Sequence, residues 1–77
     1  MTSLTAILRD MMTEADADNI RLNDGAATWD IYNLLIYSDD DNTNYSRMGD
    51  AIYAHGDDGR QKDGAAYTIT RDRNDNE

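Results

Sequence analysis

Near the start of the chain, Leu4, Ile7, Leu8, Met11, Met12 and Ala15 recur at helical spacing. That period predicts a helix over about fourteen residues after Ser3, with Ser3 or Thr2 as its N-cap. Its polar back carries Arg9, Asp10, Thr13, Asp16 and Ala17. Glu14, Asp16 and Asp18 fall in the expected last turn, where carboxylates oppose the helix dipole. The alternation Ile20-Arg21-Leu22 reads as a strand, and Asn23-Asp24-Gly25 is the strongest turn signal, because Gly accepts positive φ and Asn or Asp tolerates it. The run Thr28 to Tyr37, rich in β-branched and aromatic residues, predicts a longer strand. A helix burying Ile31, Leu34 and Leu35 is the competing reading, since a short apolar run does not settle the period.

Farther along, Ser38 to Asn44 is a polar loop. A short second helix is expected from Tyr45 or Ser46, with Met48, Ala51, Ile52 and His55 on one side and Gly56 as its stop, although Gly49 weakens it by about 1 kcal/mol relative to Ala. Asp57 to Gly64 is a second turn-rich loop, and Ala66 to Arg71 alternates as a final strand. The pattern predicts one compact α+β domain over residues 1–71, followed by a flexible acidic tail over 72–77. In that domain an N-terminal helix and a short second helix pack on a small antiparallel β-sheet, with strands near 20–22, 28–37 and 65–71 and the second helix near 45–55.

Composition narrows the chemistry. The 77 residues contain no Cys, one His and no Pro, which excludes disulfides, thiolate metal sites and paired-histidine chemistry. A chain of this size buries only about 60% of its unfolded surface, leaving little room for an enclosed active site. Charge-free runs such as Ile31 to Ser38 fall far short of the roughly 20 apolar residues of a membrane span. The first ten residues lack the basic start of a secretory signal, so a cytoplasmic location is expected.

The net charge of −9 exceeds the magnitude of about 2 to 8 usual for a small soluble domain. It sits in two blocks: Asp10 to Asp30 holds six acids against Arg21, and Asp39 to Asp63 holds seven against Arg47, Arg60 and Lys62. Between them lies the uncharged, tyrosine-bearing segment 31–38. Two negative blocks around an apolar centre suit an adhesive acidic face; a GC-rich coding sequence or a salty cytoplasm accounts for the same bias without a partner.

Individual side chains add candidates. Counted from Asp39, the residues Asp41, Thr43 and Asp50 fall at calcium-loop positions three, five and twelve, but Asn44 replaces the required Gly and Asp50 the bidentate Glu. Asp57-Asp58-Gly59 is first a turn signature. His55 has no nucleophile motif near it in the sequence and suits a helix C-terminus. Trp29 and Tyr67 are expected to be structural, whereas Tyr37 and Tyr45 border the acidic loop and are the contact candidates. Aromatics interleaved with acids disfavour direct nucleic-acid binding. The inverse is favoured: on a continuous helix, Asp10, Glu14 and Asp18 would form a row spaced about 6 Å apart, able to compete for a basic groove.

In size, charge and α+β outline the chain resembles the small, acidic, cysteine-free proteins that bacteriophages and mobile elements encode against host defences. Anti-CRISPR proteins, uracil-glycosylase inhibitor and DNA-mimic antirestriction proteins belong to that class, and the anti-CRISPR group is the first choice. The resemblance implies a non-catalytic inhibitor needing no cofactor, which binds a protein partner through that partner's basic nucleic-acid-binding surface, as on a CRISPR effector complex. It implies no enzyme, no direct nucleic acid and no membrane. The expected contact residues are Asp10, Glu14, Asp16, Asp18, Asp39, Asp40, Asp41, Asp57 and Asp58, with Tyr37 and Tyr45 as anchors. The alternative is a structural or calcium-stabilised protein-interaction module.

Overall fold

A computed structural model describes residues 2–56, 60, 61 and 63–72. Helix α1 spans Leu4–Met11, and Ser3 caps it by accepting the Ala6 amide on its hydroxyl. The apolar stripe Leu4, Ile7, Leu8 and Met11 is buried, as its spacing requires. The helix stops about six residues earlier than the sequence suggests. Thr13 donates its hydroxyl to the Asp10 carbonyl, and the acid-rich segment that follows turns through a 3₁₀ turn at Ala17–Asn19 into strand β1, Ile20–Asn23. Carboxylates at a C-terminus oppose the dipole, so there is little to prolong the helix there.

The predicted turn after β1 forms at Asp24 to Ala27. Gly25 adopts φ 93°, and Asp24 accepts the Ala26 and Ala27 amides on one carboxylate oxygen. Strand β2 then covers only Thr28–Asp30. The longer strand expected over 28–37 is replaced after three residues by helix α2, Ile31–Ser38. The switch is set by Asp30, whose carboxylate accepts the Asn33 amide as a helix N-cap. Ile31, Leu34 and Ser38 are buried, so the competing helical period is the one adopted.

A second correction concerns residues 44–55, which form no helix. They make the hairpin of β3, Asn44–Met48, and β4, Ala51–His55. Met48 pairs with Ala51, leaving Gly49 and Asp50 as a two-residue turn with Gly49 at φ 63°. A left-handed residue at the first of the two central positions suits a hairpin whose strands twist right-handedly, and Gly adopts it without penalty. The spacing of Met48, Ala51 and Ile52 looks helical only because the hairpin returns in register. Strand β5, Tyr67–Arg71, completes an antiparallel sheet in the order β2-β1-β5-β4-β3.

Both helices cover one face of that sheet. There Ile20, Leu22, Tyr45, Ile52 and Ile69 meet Leu4, Leu8, Met11, Ile31 and Leu34 in a single core. The opposite face presents Arg21, Asn23, Ser46, Thr68 and Thr70, as expected for an antiparallel sheet covered on one side. The architecture is α+β, with two helices on one antiparallel sheet. No helix among the described residues is long and apolar enough to cross a membrane. Asp72, where the tail was expected to begin, donates its amide to the Asn19 carbonyl and pairs with Arg21 at 3.1 Å; residues 73–77 lie outside the described residues.

Candidate functional site

Helix α2 is apolar on most of its circumference, yet the sheet can cover only one side of it. Its outer face leaves Ile36 75%, Tyr37 69% and Tyr32 50% exposed. Tyr32 and Ile36 are four residues apart and so lie one above the other, while Tyr37 lies about 100° farther round the helix than Ile36, with the exposed Asn33 between them. The Tyr37 ring meets the Trp29 ring edge-on at 4.8 Å between centroids and an angle of 73°, and Trp29 is held in turn by donating its indole N–H to Asp24 at 3.0 Å. That indole bond and the Ala26 and Ala27 amides hold the Asp24 carboxyl below its usual range.

Carboxylates bracket the face. Asp30 caps one end of α2, and next to it Asp18 accepts the Tyr32 hydroxyl at 3.3 Å. The charge of Asp18 first, then this hydrogen bond, pushes the Tyr32 phenol upward, so it stays neutral and donating. Asp39, at the C-cap, and Asp40 project at the other end and are exposed. Eight helical residues separate the two pairs, a rise of about 12 Å. Among the described residues, no ion pair involves Asp18, Asp30, Asp39 or Asp40.

The remaining expected contact residues are placed differently. Because α1 ends at Met11, Asp10, Glu14 and Asp18 form no row: Asp10 is exposed on the helix, while Glu14 turns back onto the sheet. Glu14 receives Arg71 at 2.9 Å and Arg47 at 3.3 Å, and the Arg71 bond, then the Arg47 bond, lower its carboxyl below the ordinary value. Arg71 also meets Asp16 at 3.1 Å and Asp50 at 3.4 Å. Glu14 and Asp16 thus belong to a charge cluster that ties the α1–β1 connection to β3 and β5.

Tyr45 is not an anchor for a partner. It is 8% exposed, packs in the core beside Tyr67, and donates its hydroxyl to Asp41 at 2.6 Å. Burial, reinforced by that bond, drives the Tyr45 phenol far above its ordinary value. Burial pushes the Asp41 carboxyl up, but the Tyr45 hydroxyl and the Thr43 amide outweigh it and leave it below its usual range. Asp41 therefore closes the 38–44 loop, while Asp39 and Asp40 face outward. The calcium-loop count is interrupted by β3, and Asp50, its twelfth position, contacts Arg71. No group of three or more His, Asp or Glu among the described residues is placed to hold a metal ion. Asp57 and Asp58 lie outside the described residues.

Two features escaped the sequence reading. Ile36 and Tyr32 come together on the exposed side once 31–38 is helical, and the (i, i+4) spacing is their signal. His55 ends a strand, not a helix, and shares a 2.8 Å hydrogen bond with Ser46 across the hairpin, a pairing that needs the β3–β4 register to be known. Compared with known protein families, curated proteins and solved structures, the chain matches none.

Proposed function

We propose that the protein is a non-catalytic inhibitor whose α2 face binds the basic nucleic-acid-binding surface of a protein partner, in the manner of an anti-CRISPR protein on a CRISPR effector complex. The observation that carries this reading is the juxtaposition on α2: an exposed side bearing Tyr32, Ile36 and Tyr37, bounded by carboxylates that form no ion pair among the described residues. A large exposed aliphatic side chain is ordinary when isolated, whereas a contiguous apolar patch with a polar rim marks a binding surface. The rim steers a cationic partner and the apolar centre supplies the affinity. Glu14, Asp16, Asp41 and Tyr45 support the fold around this face; of the expected contact residues, Tyr37, Asp18, Asp39 and Asp40 stand at α2, Asp10 is exposed on α1, and Asp57 and Asp58 lie outside the described residues.

The test is capture of the partner from host lysate on immobilised protein, with identification by mass spectrometry. The expected partner is a nucleic-acid-handling protein that loses its own nucleic acid on binding. Its affinity falls steeply with salt, and the double change Asp39→Lys, Asp40→Lys weakens it by about tenfold or more and flattens the salt dependence. A partner held equally well by this variant, or one that keeps its nucleic acid bound, refutes the reading.

A further inference from the structure

The chemistry of the α2 face also selects among nucleic-acid-binding surfaces. A duplex turns its phosphates outward and stacks its bases inside, so a channel built for it is chiefly a cationic wall. Pressing the exposed Ile36 side chain against such a wall strips water from Lys and Arg and returns no apolar contact. A groove for a single strand is built differently. It tracks the backbone with cations and offers aromatic or apolar platforms to the faces of unstacked bases.

The α2 face is the complement of the second kind. Tyr32 and Ile36 form a ridge along the exposed side, Tyr37 stands across Asn33 from it, and carboxylates stand at either end, about 12 Å apart along the helix axis. The Tyr37 ring is steadied by the edge of Trp29, and the Tyr32 ring by its bond to Asp18, so both are held in place before a partner arrives. Holding aromatic side chains in place beforehand reduces the ordering cost of binding.

We infer that the partner surface covered by α2 is a single-strand nucleic-acid groove, with Tyr32, Ile36 and Tyr37 taking the platforms that bases occupy and the terminal carboxylates taking the phosphate positions. This rests on the proposed inhibitory reading and narrows it to one class of target.

The test loads bacterial lysate onto an oligo(dT) resin and onto a duplex DNA resin, then elutes each with the protein. The wild-type chain is expected to release a single-strand-binding protein, identified by mass spectrometry, from the oligo(dT) resin. Tyr37→Ala and Ile36→Asp each lower that release by about tenfold, as expected for residues at the centre of an interface. Both side chains are mostly exposed, and an unchanged thermal midpoint verifies that each variant is folded. Polyaspartate of matched charge is expected to release none of it. Release from the duplex resin alone overturns the single-strand assignment and leaves the inhibitory reading standing. Equal release by Ile36→Asp or by polyaspartate overturns the assignment too, since charge alone then suffices. Release from neither resin overturns both.

Discussion

Tyr45 illustrates how one side chain can look like a contact residue and prove structural. Its position beside an acidic loop is what a binding tyrosine would show, but alternation along β3 turns it inward and its hydroxyl ends on Asp41. Nothing in the local sequence distinguishes inward from outward until the strand assignment is made, because one residue of register inverts every side chain. The bond has a measurable weight. Tyr45→Phe keeps the packing and leaves Asp41 with one donor fewer, so the fold is expected to lose about 1.5 to 3 kcal/mol, read from denaturant unfolding. A smaller change in Asp39→Asn, whose carboxylate accepts no hydrogen bond among the described residues, would separate the loop's structural acid from its exposed ones.

Among the elements, α2 decides the character of the molecule. Its sequence is compatible with either a strand or a helix, and periodicity alone favours neither over so few residues. The deciding interaction is local: Asp30 satisfies the Asn33 amide and starts the helix. Asp30→Ala is expected to cost about 1 kcal/mol and to lower helical signal in circular dichroism, whereas Asp30→Ser retains most of the cap. In contrast, α1 was legible because four buried positions repeat over two turns, and β1 and β5 because they alternate cleanly. The β3–β4 hairpin was not, since its two-residue turn brings apolar residues back at intervals that imitate a helix. Half of the candidate site follows from the same ambiguity: Tyr37, Asp39 and Asp40 are recognisable in the sequence as polar or aromatic neighbours, but Ile36 joins them only when 31–38 coils.

At the scale of the whole molecule, two sets of acids stand apart. Glu14, Asp16, Asp50 and Asp72 are paired with Arg47, Arg71 or Arg21 and hold the connection after α1 and the ends of the sheet together. Asp18, Asp30, Asp39 and Asp40 stand around α2. Acid stability falls to the carboxylates that accept hydrogen bonds within the fold. Glu14, Asp24 and Asp41 all titrate below their ordinary values in the fold, so the unfolded chain takes up protons first as pH falls. The stabilisation these groups contribute is complete above about pH 4.5 and is lost as pH drops through their lowered folded values. Thermal midpoints are expected to fall over that acid range, and Glu14→Gln to flatten the fall; a variant that melts with the wild-type slope would show that the Arg47 and Arg71 contacts contribute nothing to it. Such surface pairs are individually weak, which is why the network through Arg71, and no single pair within it, is the relevant unit.

The margins of the sheet bear on how this chain can hold another molecule. On one side β2 is three residues long. On the other, Thr2 lies along β3: its carbonyl accepts the Tyr45 amide at 2.8 Å and its own amide donates to Asn44 at 2.7 Å. Each border offers an extended peptide only a short stretch to pair with: three residues on β2, and on β3 an edge whose Tyr45 amide is already taken. An added strand thus has a short footing at either rim, and the larger share of any grip on a foreign surface falls to side chains.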